Sequence, residues 1–294
     1  MTELTTGIVG GLGSAVAWAA ISILARSLSG TLGPAAINAL RSTIGGSLVL
    51  LLALTTGYGG EVIRMPLWAV LTLWVSITIA VAVGDTACFA SMESLGVTRA
   101  LTLCMAYPLA TTVVGIGLLG EPVTPTLAGG IGLVLAGLFL ITSGRSDGAV
   151  EAPGGAKRGL RLACLAAAAW AVSAVMMKPP LQLVSVMAGT AIRSPMGGLV
   201  LWFTPLTRGT FRAVGNCRPS ERAALAAICL LSAGSSLLFT LGIKYGGVAV
   251  GTVLSSTSPL FTIPFEMLAF GHRPSARTTM GVVATVAGIG LMKL

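Results

Sequence analysis

Two arginines and one aspartate stand inside runs that are otherwise apolar, where a charged group needs a partner or a task. Arg41 falls about seven residues, roughly 10 Å at 1.5 Å per residue, into its run. Arg193 occupies the matching place 152 residues later. A guanidinium in hydrocarbon costs at least ~2.5 to 3.5 kcal/mol on insertion scales, so both are expected to face the protein interior. The planar fork suits bidentate contact with a solute carboxylate or phosphate; it can equally tether helix carbonyls or an internal acid, or snorkel to the interface. Asp85, following Gly84, is the deepest acid. It can bind a solute amine, carry a coupling proton, or pair with an arginine such as Arg41. Glu266, two residues after Pro264, is a second proton-carrier candidate, against an interfacial pair with His272 or Arg273. Asn38 and Thr190, one turn before the two arginines, can share their helix faces.

Pro108 and Pro259 occupy corresponding runs, preceded by Tyr107 in one and by Ser255, Ser256 and Thr257 in the other. Proline in a membrane helix frees carbonyls that can line a cavity, and the hydroxyls offer neutral donors and acceptors; kinks that serve packing alone are the other reading. Trp18 and Trp170 either wall such a cavity or pack near the interface. Other chemistries find no support. His272 is the single histidine and falls between runs, so no metal cluster and no Ser/His/Asp set can be assembled. No phosphate loop and no His-Glu-x-x-His is present, so neither an ATP-driven pump nor a hydrolase is expected, nor any cofactor. Five scattered cysteines, with no Cys-x-x-Cys, supply no disulfide frame.

The elements that hold these residues must be transmembrane helices. The chain is 54% hydrophobic and 9% charged, with mean hydropathy +0.93, far from the ~25% charged residues of a soluble domain. No stretch alternates as a barrel strand would, and backbone groups in lipid must be satisfied within the segment. Spans of about 20 residues are predicted near 7–27, 34–56, 66–92, 99–119, 124–143, 160–178, 182–206, 222–243, 248–270 and 276–293. The first apolar run is longer than a signal-peptide core and is expected to be a retained helix. The net charge of +9 is spread between apolar runs rather than on one face, so nucleic acid is not an expected partner.

The ten spans form two groups, 1–143 and 160–294, joined by the Gly/Pro/charge-rich linker 144–159. At an offset of 152 residues Trp18 falls on Trp170, and Ala39-Leu40-Arg41-Ser42 with Gly45-Gly46 falls on Ala191-Ile192-Arg193-Ser194 with Gly197-Gly198. The register then slips by one or two residues, placing Pro108-Leu109 against Pro259-Leu260. Five helices per half is an odd number, so a continuous chain inserts the second half upside down. The expectation is an all-α integral membrane protein of ten transmembrane helices in two inverted five-helix repeats. Such proteins place their substrate near the midplane between the repeats.

These features together resemble the drug/metabolite transporter superfamily, in particular its EamA-type two-repeat members. The resemblance rests on Trp18 and Trp170, on Arg41 and Arg193, and on Tyr107-Pro108-Leu109, Leu119-Gly120-Glu121-Pro122, Thr124-Pro125, Gly129 and Ala136-Gly137. The second half departs from it, with Gly271-His272-Arg273-Pro274 where Gly-Glu is expected. The resemblance implies a basket of helices around a central cavity that moves amino acid-like, purine-like or drug-like solutes, commonly outward. The alternative is a channel or a lipid-handling, flippase-like scaffold. Lys and Arg number twelve in the odd-numbered connections and four in the even ones and the C-terminus. The positive-inside rule therefore puts both termini outside a cell membrane, whereas relatives are often described with both inside. Solute identity, coupling ion and oligomeric state are left open.

Overall fold

The computed structural model describes residues 2–28, 30–95, 103–104, 106–143, 155–258, 260–261 and 275–292. Every regular element among them is helical. The first half holds α1 (Glu3–Leu28), α2 (Pro34–Thr55), the short α3 (Gly59–Arg64), α4 (Leu67–Thr78), α5 (Thr86–Leu95), α6 (Tyr107–Gly117) and α7 (Pro125–Ser143). The second holds α8 (Gly155–Leu181), α9 (Val186–Trp202), α10 (Thr210–Asn216), α11 (Pro219–Ser255) and α12 (Ala276–Leu291). Among the described residues five stretches are long and apolar enough to cross a bilayer: Glu3–Ala25, Pro34–Thr55, Leu67–Cys88, Lys157–Leu181 and Pro219–Ser255. Tyr107–Gly117, Pro125–Ile141 and Ala276–Leu291 are shorter apolar helices.

Local chemistry explains where these helices start. Pro34, Pro125 and Pro219 each open a helix, where the missing N–H is harmless because the first turn has no intrahelical acceptor. Ser185 and Ser275 cap α9 and α12, accepting from Ala188 N and Thr278 N at 3.2 Å each. Between α4 and α5 the predicted third span is one rod interrupted by a π-helical segment, Ile79–Asp85. A π segment rotates the residues that follow it and is common at functional sites.

Separate eighth and ninth spans were expected, and their junction lies inside α11. At 1.5 Å per residue a straight helix of 37 residues runs ~55 Å, well beyond the ~30 Å hydrocarbon layer. It is not straight: Gly247 has φ 80° and ψ 170°, a region essentially closed to residues with a Cβ. A Cβ placed on Gly251 would lie 2.8 Å from the carbonyl carbon of Gly242. Nine residues of straight helix span ~13 Å, so the chain doubles back at Gly247 into two arms, 219–246 and 248–255.

The halves pack reciprocally. α1 lies against α11, while its counterpart α8 lies against α4, the π segment and α5; α2 packs on its counterpart α9, and α7 on α12. The direction of the repeats follows from what shares an end of the bundle. Glu3 at the start of α1 lines one cleft with Lys178 and Leu181 at the end of α8. Glu61, just after α2, accepts from Ser185 N just before α9 at 2.8 Å. Counterpart helices therefore run in opposite senses, as an inverted repeat requires.

Candidate functional site

Arg41 projects from α2 into the seam between the two halves. Its Nη2 stands 3.4 Å from Asp85 Oδ2, its Nε donates to Asn38 Oδ1 at 2.6 Å, and its guanidinium lies 4.7 Å from the Trp18 ring centroid. The pair is largely shielded, the two side chains being 11% and 15% exposed. Asp85 ends the π segment, and its Oδ1 accepts from Trp170 Nε1 of α8 at 3.0 Å. Trp170 also donates to Ala80 O at 3.2 Å and meets the Tyr107 ring edge-on at 5.7 Å. The fit is tight: a Cβ on Gly84 would reach Trp170 within 2.6 Å. Trp18, Asn38, Arg41, Asp85, Tyr107 and Trp170, from both repeats, thus form one polar cluster in apolar surroundings.

Arg193 is placed differently from its mate. It is buried, and Nη2 donates to Ser173 Oγ at 3.1 Å while Nε stands 3.5 Å from Ser76 Oγ. Ser76 in turn donates to Ser173 O at 2.8 Å. Arg193 thereby joins α9 to α4 and α8. Neither serine was singled out by the sequence, because a lone serine in an apolar helix carries no signal until its neighbour is known.

The hydroxyl candidates are only partly at this cluster. Tyr107 Oη donates to Thr252 O at 3.4 Å, and Thr111 and Thr252 hydroxyls meet at 2.6 Å, linking α6 to α11. Ser255, Ser256 and Thr257 instead donate to carbonyls of their own segment at 2.6 to 2.7 Å, and Thr190 does the same to Val186 O at 2.7 Å. Pro108, expected as a break within a helix, is the second residue of α6. It marks the start of that helix, after a turn in which Ala106 N donates to Leu103 O at 3.1 Å. Pro259 and Glu266 lie outside the described residues. Among the described residues the buried hydroxyls of Thr112, Ser194 and Ser232 have no hydrogen-bond partner.

Comparison with known proteins decides the family. The EamA-like transporter family profile matches twice, over residues 5–143 and 157–294. The chain belongs to the EamA-like transporter family. It is a multi-pass membrane protein of the drug/metabolite transporter type. A crystal structure of another protein, 21% identical, superposes with a TM-score of 0.80 over 99% of this chain and 96% of that one, a likeness of fold. No curated protein matches the chain significantly.

In this EamA-family chain the Gly-Glu-Pro stretch has a definite mechanical place. Glu121 crosses to the other repeat and caps the second arm of α11, accepting from Val248 N at 2.6 Å and Ala249 N at 3.1 Å. Lys178 Nζ donates to Ile243 O and Lys244 O, both at 3.3 Å, at the end of the first arm, and stands 3.9 Å from Glu121 Oε1. A carboxylate at a helix start and an ammonium at a helix end each complement the macrodipole. Glu121→Leu is expected to lower stability by roughly 1.5 to 3 kcal/mol, the worth of hydrogen bonds to a charged group, read as a fall in the thermal midpoint of the purified protein. Glu121→Gln should fall less, since one acceptor oxygen survives.

At the same end the Ser185 N–H donated to Glu61 holds that carboxyl below its usual range, with Lys244 adding a smaller electrostatic pull in the same direction. A depressed pKa stabilises the fold fully above the unfolded carboxyl value of ~4.3 and loses that contribution as pH falls through the folded one. Thermal melts of wild type and Glu61→Gln should therefore differ at neutral pH and converge as the buffer is taken below about pH 4.3. A constant difference down to pH 3 would show that the tie does not depend on the charge.

Proposed function

We propose that this chain is a secondary carrier exporting small organic metabolites, through ten membrane-spanning helices that alternate access about the Arg41–Asp85 cluster. The observation that carries the reading is the placement of that pair. It sits in apolar helices at the seam between inverted repeats, with its acid also bonded to a tryptophan of the opposite half. A carrier of this architecture needs polar groups at such a seam whose partners can be exchanged for a solute.

An ion pair at 3.4 Å offers both signs at once. A zwitterionic, amino acid-like solute matches it best: its carboxylate replaces Asp85 on Arg41 while its ammonium takes Asp85. The unpartnered Ser194 and Ser232 hydroxyls add neutral donors for purine-like or drug-like solutes. With no nucleotide site or catalytic set in the sequence, the driving force is an ion or solute gradient, and no covalent step is involved. By the charge count the Arg-rich end faces the cytoplasm of a cell-membrane protein and both termini face outward.

The test is an untargeted profile of solutes released by cells overproducing the protein, compared with empty-vector cells and with Arg41→Ala and Asp85→Asn variants. Selective release of a few small zwitterions, abolished in both variants at equal membrane abundance, is the expected result. Proteoliposomes should then exchange those solutes in counterflow. Wild-type release from both variants would overturn the assignment of the site.

A further inference from the structure

A second site lies away from the central cluster, at the Arg-rich end of the bundle. The segment that follows α9 leaves its largest apolar side chains uncovered: Phe203 is 91% exposed and Phe211 75%. Trp202 and Phe211 stack with centroids 5.1 Å apart and planes 6° from parallel. Together with Phe203, Pro205, Thr207 and Arg208 they line an open cleft of about 430 Å³. The threonine hydroxyls are already committed, Thr204 and Thr207 donating to Leu201 O at 2.7 and 3.1 Å. Arg208 is the charged group of the lining, and Arg212 follows it four residues on.

No acidic residue occurs from Phe203 to Cys217, and Glu221, the first beyond, is engaged by Thr31 Oγ1 at 2.8 Å and Arg218 N at 2.7 Å. The cleft therefore combines a cationic edge at Arg208 with an aromatic floor at the C-terminal end of α9. That combination fits an amphiphile with an anionic head, because arginine forks match phosphate oxygens and flat rings support the glycerol and upper acyl carbons. A neutral phosphatidylcholine head brings its own cation to the same arginines and matches less well.

We propose that this cleft binds an anionic phospholipid, its phosphate held by Arg208 and Arg212 and its acyl chains lying over Phe203 and Phe211. The occupant bears on the rest of the molecule through Trp202, whose Nε1 donates to Thr43 Oγ1 at 3.0 Å on α2, two residues from Arg41.

The test is native mass spectrometry of the purified protein titrated with phosphatidylglycerol or phosphatidylcholine of the same chain length. Wild type should retain phosphatidylglycerol in preference. Arg208→Ala/Arg212→Ala should weaken that retention by about 25-fold, at about fivefold for each arginine near an anionic surface. Arg208→Lys/Arg212→Lys should keep most of the affinity, and Phe211→Ala should weaken both lipids. Equal retention of the two lipids by wild type, or unchanged preference in the double alanine variant, overturns the proposal. Displacement by free glycerol phosphate at concentrations matching the lipid would also overturn it, since the site would then take a soluble phosphate ester. Should the double alanine variant not fold, the wild-type lipid preference and the lysine and Phe211 variants decide.

Discussion

Asp85→Leu is expected to destabilise the protein severely, because it strands the Arg41 cation among apolar helices. Removing one member of a buried pair typically costs ~3 to 5 kcal/mol, as the remaining charge keeps its desolvation penalty and loses its counter-charge. Arg41 would retain the Asn38 oxygen and the Trp18 ring face, both neutral. Trp170 would keep an acceptor in Ala80 O, so the loss falls mainly on the arginine. The folded, monodisperse fraction recovered from membranes should drop sharply. The double variant Arg41→Leu/Asp85→Leu should recover most of it, because replacing both partners by apolar groups removes the stranded charge along with the pair. Transport should be absent from both. A double variant that is no better folded than Asp85→Leu would mean that the pair contributes more than mutual neutralisation. A fully stable Asp85→Leu would mean that Arg41 is compensated elsewhere.

Gly198→Leu should prevent assembly of the bundle altogether. A Cβ at Gly198 would stand 2.2 Å from Thr43 Oγ1, 2.5 Å from Thr43 N and 2.7 Å from Ala39 O. Its repeat mate Gly46 is in the same position, with Pro195 N at 2.4 Å. These are mostly backbone atoms, which cannot turn aside as a flexible side chain would. Small residues matter at such crossings because lipid supplies no hydrophobic drive between helices, and close backbone contact replaces it. Gly198→Ala should already cost roughly 1 to 3 kcal/mol, the usual range for overpacking, and the leucine more than the fold can absorb. Gly60→Leu serves as the control, because nothing lies within 4 Å of its Cβ position. Fluorescence-detected size exclusion should give a near-normal peak for Gly60→Leu and aggregate for Gly198→Leu. A normal peak for both would show that α2 and α9 can separate at no cost.

Membrane insertion, the duplication and its inversion were all legible from residue order alone. Hydropathy marks a span by its own transfer free energy, and a repeat is a property of residue order, so neither needs knowledge of a neighbour. The repeated Ala-x-Arg-Ser and Gly-Gly stretches likewise pointed to α2 and α9 as counterparts, and the structure packs one on the other. Arg41 and Asp85 drew attention for the same local reason, the expense of a charge in an apolar run.

What residue order could not supply was the choice among partners. Arg41 and Arg193 sit in near-identical local sequence, yet one meets an acid and the other two serines, because Asp85 has no acidic counterpart across the repeat. The π segment that sets the direction of Asp85 leaves no pattern of its own in the sequence. Ser255, Ser256, Thr257 and Thr190 looked equally able to face a solute, and their hydroxyls turned back on nearby carbonyls instead. Glu121 stood out in the sequence only within its Gly-Glu-Pro stretch and Lys178, 57 positions on, carried no signal of its own, until the reversal at Gly247 brought two helix ends between them. Hydrophobic placement is a property of each segment and can be read one segment at a time. Which polar atoms meet is settled only when the helices cross, because hydrogen bonds form over about 3 Å and the sequence carries no distances.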